Sequence, residues 1–124
     1  QTAYERFIAL TEDRVAIELD LFWALTGGQD VPALVARLGD RLIAQHIKDG
    51  VPPASNPFAP GAPKFGSASL DQRRAGDGDV PLAESLRAAT SLEYAVIEYD
   101  HAPGDVFEDI AASYAFLTDG GYVR

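Results

Sequence analysis

Three residues of the kinds that bind metal ions stand at equivalent points of the sequence, namely Asp20, His46 and Glu98. Each comes near the end of a mostly apolar run that is rich in strand-forming residues. Because the carboxyl ends of parallel strands meet at one edge of a sheet, these side chains could converge on a single ion. Taken singly, the acidic residues could instead cap helices or face solvent, and the histidine could bond to the backbone.

The lack of cysteine restricts which metal such a site could bind. Carboxylates, histidine and water would have to hold the ion, because no thiolate is present. This ligand set suits hard or borderline divalent ions, and we expect Mn²⁺, Mg²⁺, Co²⁺ or Zn²⁺ as the cofactor. Lys48, two residues after His46, could place a positive charge near a developing oxyanion, although a lysine at a strand end is often merely solvated.

The net charge of the chain indicates which kinds of partner it could bind. Ten basic and nineteen acidic side chains give a formal net charge of −9, which repels the phosphates of nucleic acid and of anionic membranes. We therefore expect a neutral or metal-neutralised small molecule, with no nucleic acid and no membrane as partner. No segment approaches the ~20 apolar residues of a membrane span, and the first residues lack a signal-peptide pattern. A soluble cytoplasmic protein is expected.

The elements that must position these residues alternate between helix and strand. A length of 124 residues allows one folded domain, to which we assign residues 1–124. Thr2 with Glu5 has the spacing of a capping box at the first helix, and Asp105 with Glu108 has it at the last. The predicted order is helix 2–10, strand 15–23, helix 30–38, strand 41–48, irregular segment 51–79, helix 81–89, strand 92–97 and helix 105–117.

This alternation predicts an α/β fold with parallel strands, crossover helices and no antiparallel hairpin. Asp49-Gly50 is predicted to form a turn, and the Pro- and Gly-rich segment after it is interpreted as an active-site loop. A complete (β/α)8 TIM barrel has ~250 residues, so three strands with their helices make up well under half of one. An open doubly wound sheet would also need more strands.

Several segments of the sequence resemble one known group of proteins. They are ELDLFWA at 18–24, GGQDVPAL at 27–34, GDR at 39–41, HIKDG at 46–50, GDGDVPL at 76–82 and VIEYD at 96–100. Together these segments resemble the xylose-isomerase-like TIM-barrel superfamily, and within it the sugar phosphate isomerase/epimerase group. The resemblance extends over nearly the whole chain. It implies the C-terminal portion of a TIM barrel, with strands six to eight present and strands one to five absent.

The resemblance also implies a reaction. Such barrels hold a divalent ion between two glutamates, an aspartate and a histidine, and Asp20, His46 and Glu98 match three of these. The fourth ligand, a glutamate of the fourth strand that also forms the acid/base pair with the residue matching Glu98, has no counterpart. The ion stabilises an enediolate while a carboxylate moves a proton. The expected function is isomerisation or epimerisation of a sugar-like polyol, incomplete in this chain, with dehydration of a keto-polyol as a close variant.

Two positions depart from the ketose 3-epimerases of this group. Trp23 stands where they have a histidine, and Pro52 stands where they have an arginine. Trp23 could form an apolar wall against a sugar face or pack in the core. Asp49, Asp100 and His101 are further candidates for contact with the substrate.

Two other functions stay open. An endonuclease of the same superfamily would use several zinc ions, yet it would need more than two histidines and a basic groove. A non-catalytic fragment or interaction module would retain the fold without the reaction. In either barrel interpretation the edge strands need partners, and we expect the missing N-terminal portion or a second copy of the chain to cover them.

Overall fold

The computed structural model describes residues 2–11, 13–62 and 70–123. Within these ranges the fold is mixed α/β and is built around a three-stranded parallel sheet. The prediction of parallel strands with intervening helices is confirmed for this sheet. The described residues form five strands, namely β1 Ile17–Asp20, β2 Leu42–Ile47, β3 Asp49–Val51, β4 Asp71–Arg73 and β5 Tyr94–Ile97. In the parallel sheet β2 lies between β1 and β5.

Local capping determines where the helices begin and end. Thr2 and Glu5 form the predicted capping box, and the Asp105 carboxylate accepts the N–H groups of Phe107 and Glu108 at the start of the last helix. No helix in the described part of the chain is both long and apolar enough to cross a membrane. The helices are α1 Ala3–Leu10, α2 Leu21–Thr26, α3 Val31–Leu38, α4 Leu82–Ala88 and α5 Val106–Asp119.

The two faces of the parallel sheet differ in character. Successive strand residues point to opposite faces, so Leu19 and Ile47 enter the hydrophobic core together with apolar residues of α3, α4 and α5. On the other face the register places Asp20 beside His46 and His46 beside Val96. The metal-ligand candidates Asp20, His46 and Glu98 therefore share the face that points away from this core.

The predicted strand 15–23 is wrong at both ends. The observed strand, β1, ends at Asp20. Helix α2 begins immediately after it, because the Asp20 Oδ1 atom accepts the Trp23 N–H at 2.9 Å as a helix cap. Leu21 and Phe22 are fully buried, and a short buried apolar run has the same appearance in a strand as in a helix.

The expectation of a turn at Asp49-Gly50 without an antiparallel hairpin is also wrong. These residues begin β3, which pairs antiparallel with β4 and places Gly50 opposite Gln72. Gly50 has a φ of +153°, and a Cβ atom there would lie 2.2 Å from the Asp71 carbonyl oxygen, so only glycine permits this pairing. The predicted active-site loop includes residues 63–69, which lie outside the described residues.

Candidate metal centre

The structure brings Asp20, His46 and Glu98 together at one edge of the parallel sheet. Asp20 is the last residue of β1, His46 lies near the end of β2, and Glu98 follows β5. Each residue offers one ligand atom, and these three atoms lie within 4.8 Å of one another. The convergence follows from the register, because parallel strands bring their carboxyl ends to the same place.

Asp20 is held in position by the helix that follows it. Its Oδ1 atom caps α2, while its Oδ2 atom lies 2.9 Å from Lys48 Nζ and 3.6 Å from His46 Nδ1. The cap contact restrains the rotation of the carboxylate. One oxygen is therefore committed to the fold, and the other faces the cluster.

The His46 ring lies between carboxylates on two sides. Its Nδ1 atom contacts Glu98 Oε2, and its Nε2 atom contacts Glu18 Oε1. Glu98 Oε2 is shielded from solvent and lies against the Nδ1 atom of this ring. A carboxylate oxygen that is removed from water carries a desolvation cost, which a cation bound between the oxygen and the nitrogen would offset. This donor set of two carboxylates and one imidazole fits a divalent ion.

Lys48 supplies the positive charge of the site. Its side chain is 1% exposed, and its Nζ atom lies 2.8 Å from Asp100 Oδ2 and 3.3 Å from Glu98 Oε1, in addition to the contact with Asp20. Burial acts to lower the pKa of Lys48, but the hydrogen bonds to Asp100 and Asp20 outweigh it, so the pKa is raised. The amine is therefore an ammonium group that balances the surrounding carboxylates.

Trp23 and Asp100 lie beside Lys48. The Trp23 Nε1–H group donates to Asp100 Oδ2 at 3.3 Å, and Lys48 Nζ lies 5.8 Å from the centroid of the Trp23 ring. On its other sides Trp23 packs edge-on against Phe22 of the core and against the exposed ring of Phe58. Both interpretations of Trp23, core packing and a wall of the site, are consistent with these contacts.

Asp49 lies away from the cluster in a setting of its own. It is 2% exposed, and its two carboxylate oxygens accept four backbone N–H groups at 2.8–3.1 Å. The donors belong to Gly50, Gly76, Gly78 and Val80. Both carboxylate oxygens are thus hydrogen-bonded to the backbone, and Asp49 holds the 76–80 turn against β3.

Gln72 is a residue that sequence reasoning missed. It is 5% exposed, its Nε2 atom donates to the Glu98 carbonyl at 2.8 Å, and its Oε1 atom accepts the N–H groups of Asp100 at 2.8 Å and His101 at 3.1 Å. It thereby holds the segment after β5 in place. No sequence signal marked it, because β4 has only three residues and lies in a segment that was interpreted as irregular.

A groove of about 530 Å³ opens next to the cluster. Its walls include the carboxylates of Glu18 and Asp20, the amide of Gln29 and the aromatic rings of Tyr4 and Trp23. This mixture of aromatic faces and hydrogen-bonding groups is suited to a small polar molecule. A second groove, of about 640 Å³, lies farther away along β5 and is lined mainly by apolar and aromatic residues.

No protein-family model, no curated protein and no solved structure matches the chain. The geometry of the described residues is therefore the basis for a functional proposal.

Proposed function

We propose that this chain forms part of a TIM barrel and binds a divalent ion through Asp20, His46 and Glu98, for the isomerisation or epimerisation of a sugar-like polyol. The observation that carries the proposal is the convergence of three ligand types from three parallel strands, with one ligand atom of each within 4.8 Å of the others. A cluster at the carboxyl ends of parallel strands is where barrel enzymes have their active sites.

The exposed face of the sheet supports a barrel over a doubly wound sheet. Val96 lies beside His46, and Tyr94 shares its face; they are 41% and 59% exposed. A doubly wound sheet has helices on both faces, which would cover these side chains. A barrel has helices only on the outside, and its inner face is covered by its other strands. An apolar inner face that is still open is thus the expected condition of an incomplete barrel.

The edges of the sheet support the same interpretation. In the described part of the chain, β1 and β5 each pair only with β2, which leaves one edge of each strand without a partner. We propose that further strands, from additional barrel segments or from a second copy of this chain, pair along these edges. The groove along β5 provides space for such a partner.

The side chains of the cluster have distinct roles in the proposed reaction. A bound divalent ion would supply Lewis acidity to a carbonyl oxygen and the neighbouring hydroxyl oxygen of the substrate. Glu98 would remove the proton from, or return it to, the carbon that carries this hydroxyl group, which is the α-carbon of the carbonyl. Lys48 would hold a positive charge near the developing oxyanion, and Asp100 orients Lys48 and Trp23 toward the site. The proposal assigns the second catalytic carboxylate to a strand outside this chain, so we expect ion binding without full turnover.

The test is calorimetric titration with Mn²⁺, Mg²⁺, Co²⁺ and Zn²⁺ of the natural chain and of the variant Asp20→Ala/His46→Ala. The matched control is Asp77→Ala, which removes one negative charge from an exposed residue. We expect the natural chain and the control to bind at least one of these ions, and the double variant to lose binding by ~100-fold or more, because it lacks two of three ligands.

Two results would contradict the ion site: no binding by a folded, monodisperse sample, or equal binding by the double variant. The substrate class has a separate readout in the Mn²⁺-loaded chain. A ketose should displace ion-bound water and change the relaxation rate of the water protons, whereas a polyol without a carbonyl group should have less effect. Equal responses to both compounds would contradict a carbonyl substrate and would favour a non-catalytic interaction module.

A further inference from the structure

We infer that Glu18 is the orienting carboxylate of the metal centre: when the ion is bound, Glu18 accepts the Nε2–H group of His46, and the Nδ1 lone pair is then directed at the ion. This inference rests on the proposed metal centre and extends it to a residue outside the ligand set. The observation is that Glu18 Oε1 contacts His46 Nε2, on the side of the ring opposite the candidate ligands.

The strand register explains how Glu18 reaches the ring. Glu18 and Asp20 are two residues apart in β1, so they lie on the same face of the sheet. Asp20 pairs directly with His46, while Glu18 pairs with Ala44, whose methyl side chain fills little space on that face. The longer Glu18 side chain can therefore extend past Ala44 to the imidazole.

The chemistry of neutral imidazole then assigns the two nitrogens. Such a ring has one N–H donor and one lone pair, and a metal ligand must use the lone pair. The Nδ1 atom faces Glu98 Oε2 and lies 3.6 Å from Asp20 Oδ2, so an ion between these oxygens has Nδ1 as its nitrogen ligand. The proton is then on Nε2, where Glu18 is the acceptor that the described residues provide.

Glu18 differs from the ligands in exposure as well as in position. Its side chain is 56% exposed, compared with 16% for Asp20 and 34% for Glu98. Carboxylates that accept the second N–H of a ligating histidine fix its tautomer and ring orientation and make it a better donor. Removing such a partner commonly costs ~10–100-fold in metal affinity although every ligand remains. Because Glu18 is exposed, its substitution should leave the fold intact.

The test compares Glu18→Gln with the natural chain and with Glu84→Gln, a control that neutralises an exposed glutamate of α4. Calorimetry with Zn²⁺ should show an affinity that is ~10–100-fold lower for Glu18→Gln and unchanged for the control. Thermal unfolding without metal should be the same for all three proteins, which separates this effect from misfolding.

A second readout concerns the tautomer directly. In ¹⁵N-histidine-labelled protein loaded with Cd²⁺, long-range ¹H–¹⁵N spectra at one mildly alkaline pH should show His46 with the proton on Nε2 and the ion coupled to Nδ1. Coupling of Cd²⁺ to Nε2, or equal Zn²⁺ affinity for Glu18→Gln and the natural chain, would overturn the role of Glu18 and leave the metal centre standing. Absence of ion binding by the natural chain would overturn the metal centre and this inference together.

Discussion

Two acidic regions of the molecule differ in what their carboxylates contact. Asp49 receives four backbone N–H groups and is almost fully buried. Glu98 and the Oδ2 atom of Asp20 instead face the side chains of His46 and Lys48. Backbone donors are permanent parts of the fold, whereas side-chain partners can rearrange around an ion. Position after a strand therefore does not distinguish a carboxylate that holds the fold together from one that could bind an ion, whereas the type of partner does.

The Asp49 region also explains the Gly-Asp-Gly sequence at 76–78. A Cβ atom on Gly78 would lie 2.2 Å from Asp49 Oδ1, and Gly76 has a φ of +92°. Glycine at these positions lets the backbone approach the carboxylate closely enough for its N–H groups to donate. This segment thereby forms a cage around a buried carboxylate.

The largest effect on stability is expected for Asp49→Asn. The substitution keeps the shape of the side chain but replaces one acceptor oxygen with an NH₂ group, so two of the four backbone donors lose their acceptor. Each such group costs ~1–3 kcal/mol, and we expect the free energy of unfolding to fall by about 3 kcal/mol or more. Urea denaturation measures this change. A loss below about 1 kcal/mol would mean that the cage is not a structural requirement.

Gln72→Leu tests the link between the two regions, because Gln72 lies in the β3–β4 hairpin next to Asp49 and holds the segment that carries Glu98. The change removes three hydrogen bonds to the backbone after β5 while keeping a similar volume. We expect an intermediate loss of about 2 kcal/mol in the free energy of unfolding, and ion binding that is weaker by about tenfold.

Arg73→Leu is the control, because it changes an exposed neighbour in β4 that does not contact the cluster. Urea denaturation and calorimetry on the same samples separate the two effects. If Gln72→Leu loses stability but binds the ion with unchanged affinity, Gln72 supports the fold alone and does not position Glu98.

The parts of this fold that could be predicted are those with local signals. Helix caps such as Thr2 and Asp105, and the alternation of helix and strand, indicated the parallel sheet and placed Asp20, His46 and Glu98 at its carboxyl edge. The hairpin, the Asp49 cage and the Gln72 contacts depend on pairing between residues about 20–30 positions apart, for which periodicity carries no information. Glu18 had a usable signal, because a charged residue two positions before Asp20 shares its face.

The smallest effect on stability is expected for Glu98→Gln, which is the counterpart of Asp49→Asn in the other region. Lys48 keeps its contacts with Asp20 and Asp100, and the side chain is 34% exposed, so the free energy of unfolding without metal should change by less than about 1 kcal/mol. Ion affinity should fall at least about tenfold, because an amide oxygen is a weaker ligand than a carboxylate. Urea denaturation and calorimetry measure the two quantities. A loss of stability like that of Asp49→Asn, with unchanged ion affinity, would place Glu98 among the structural carboxylates and remove it from the proposed centre.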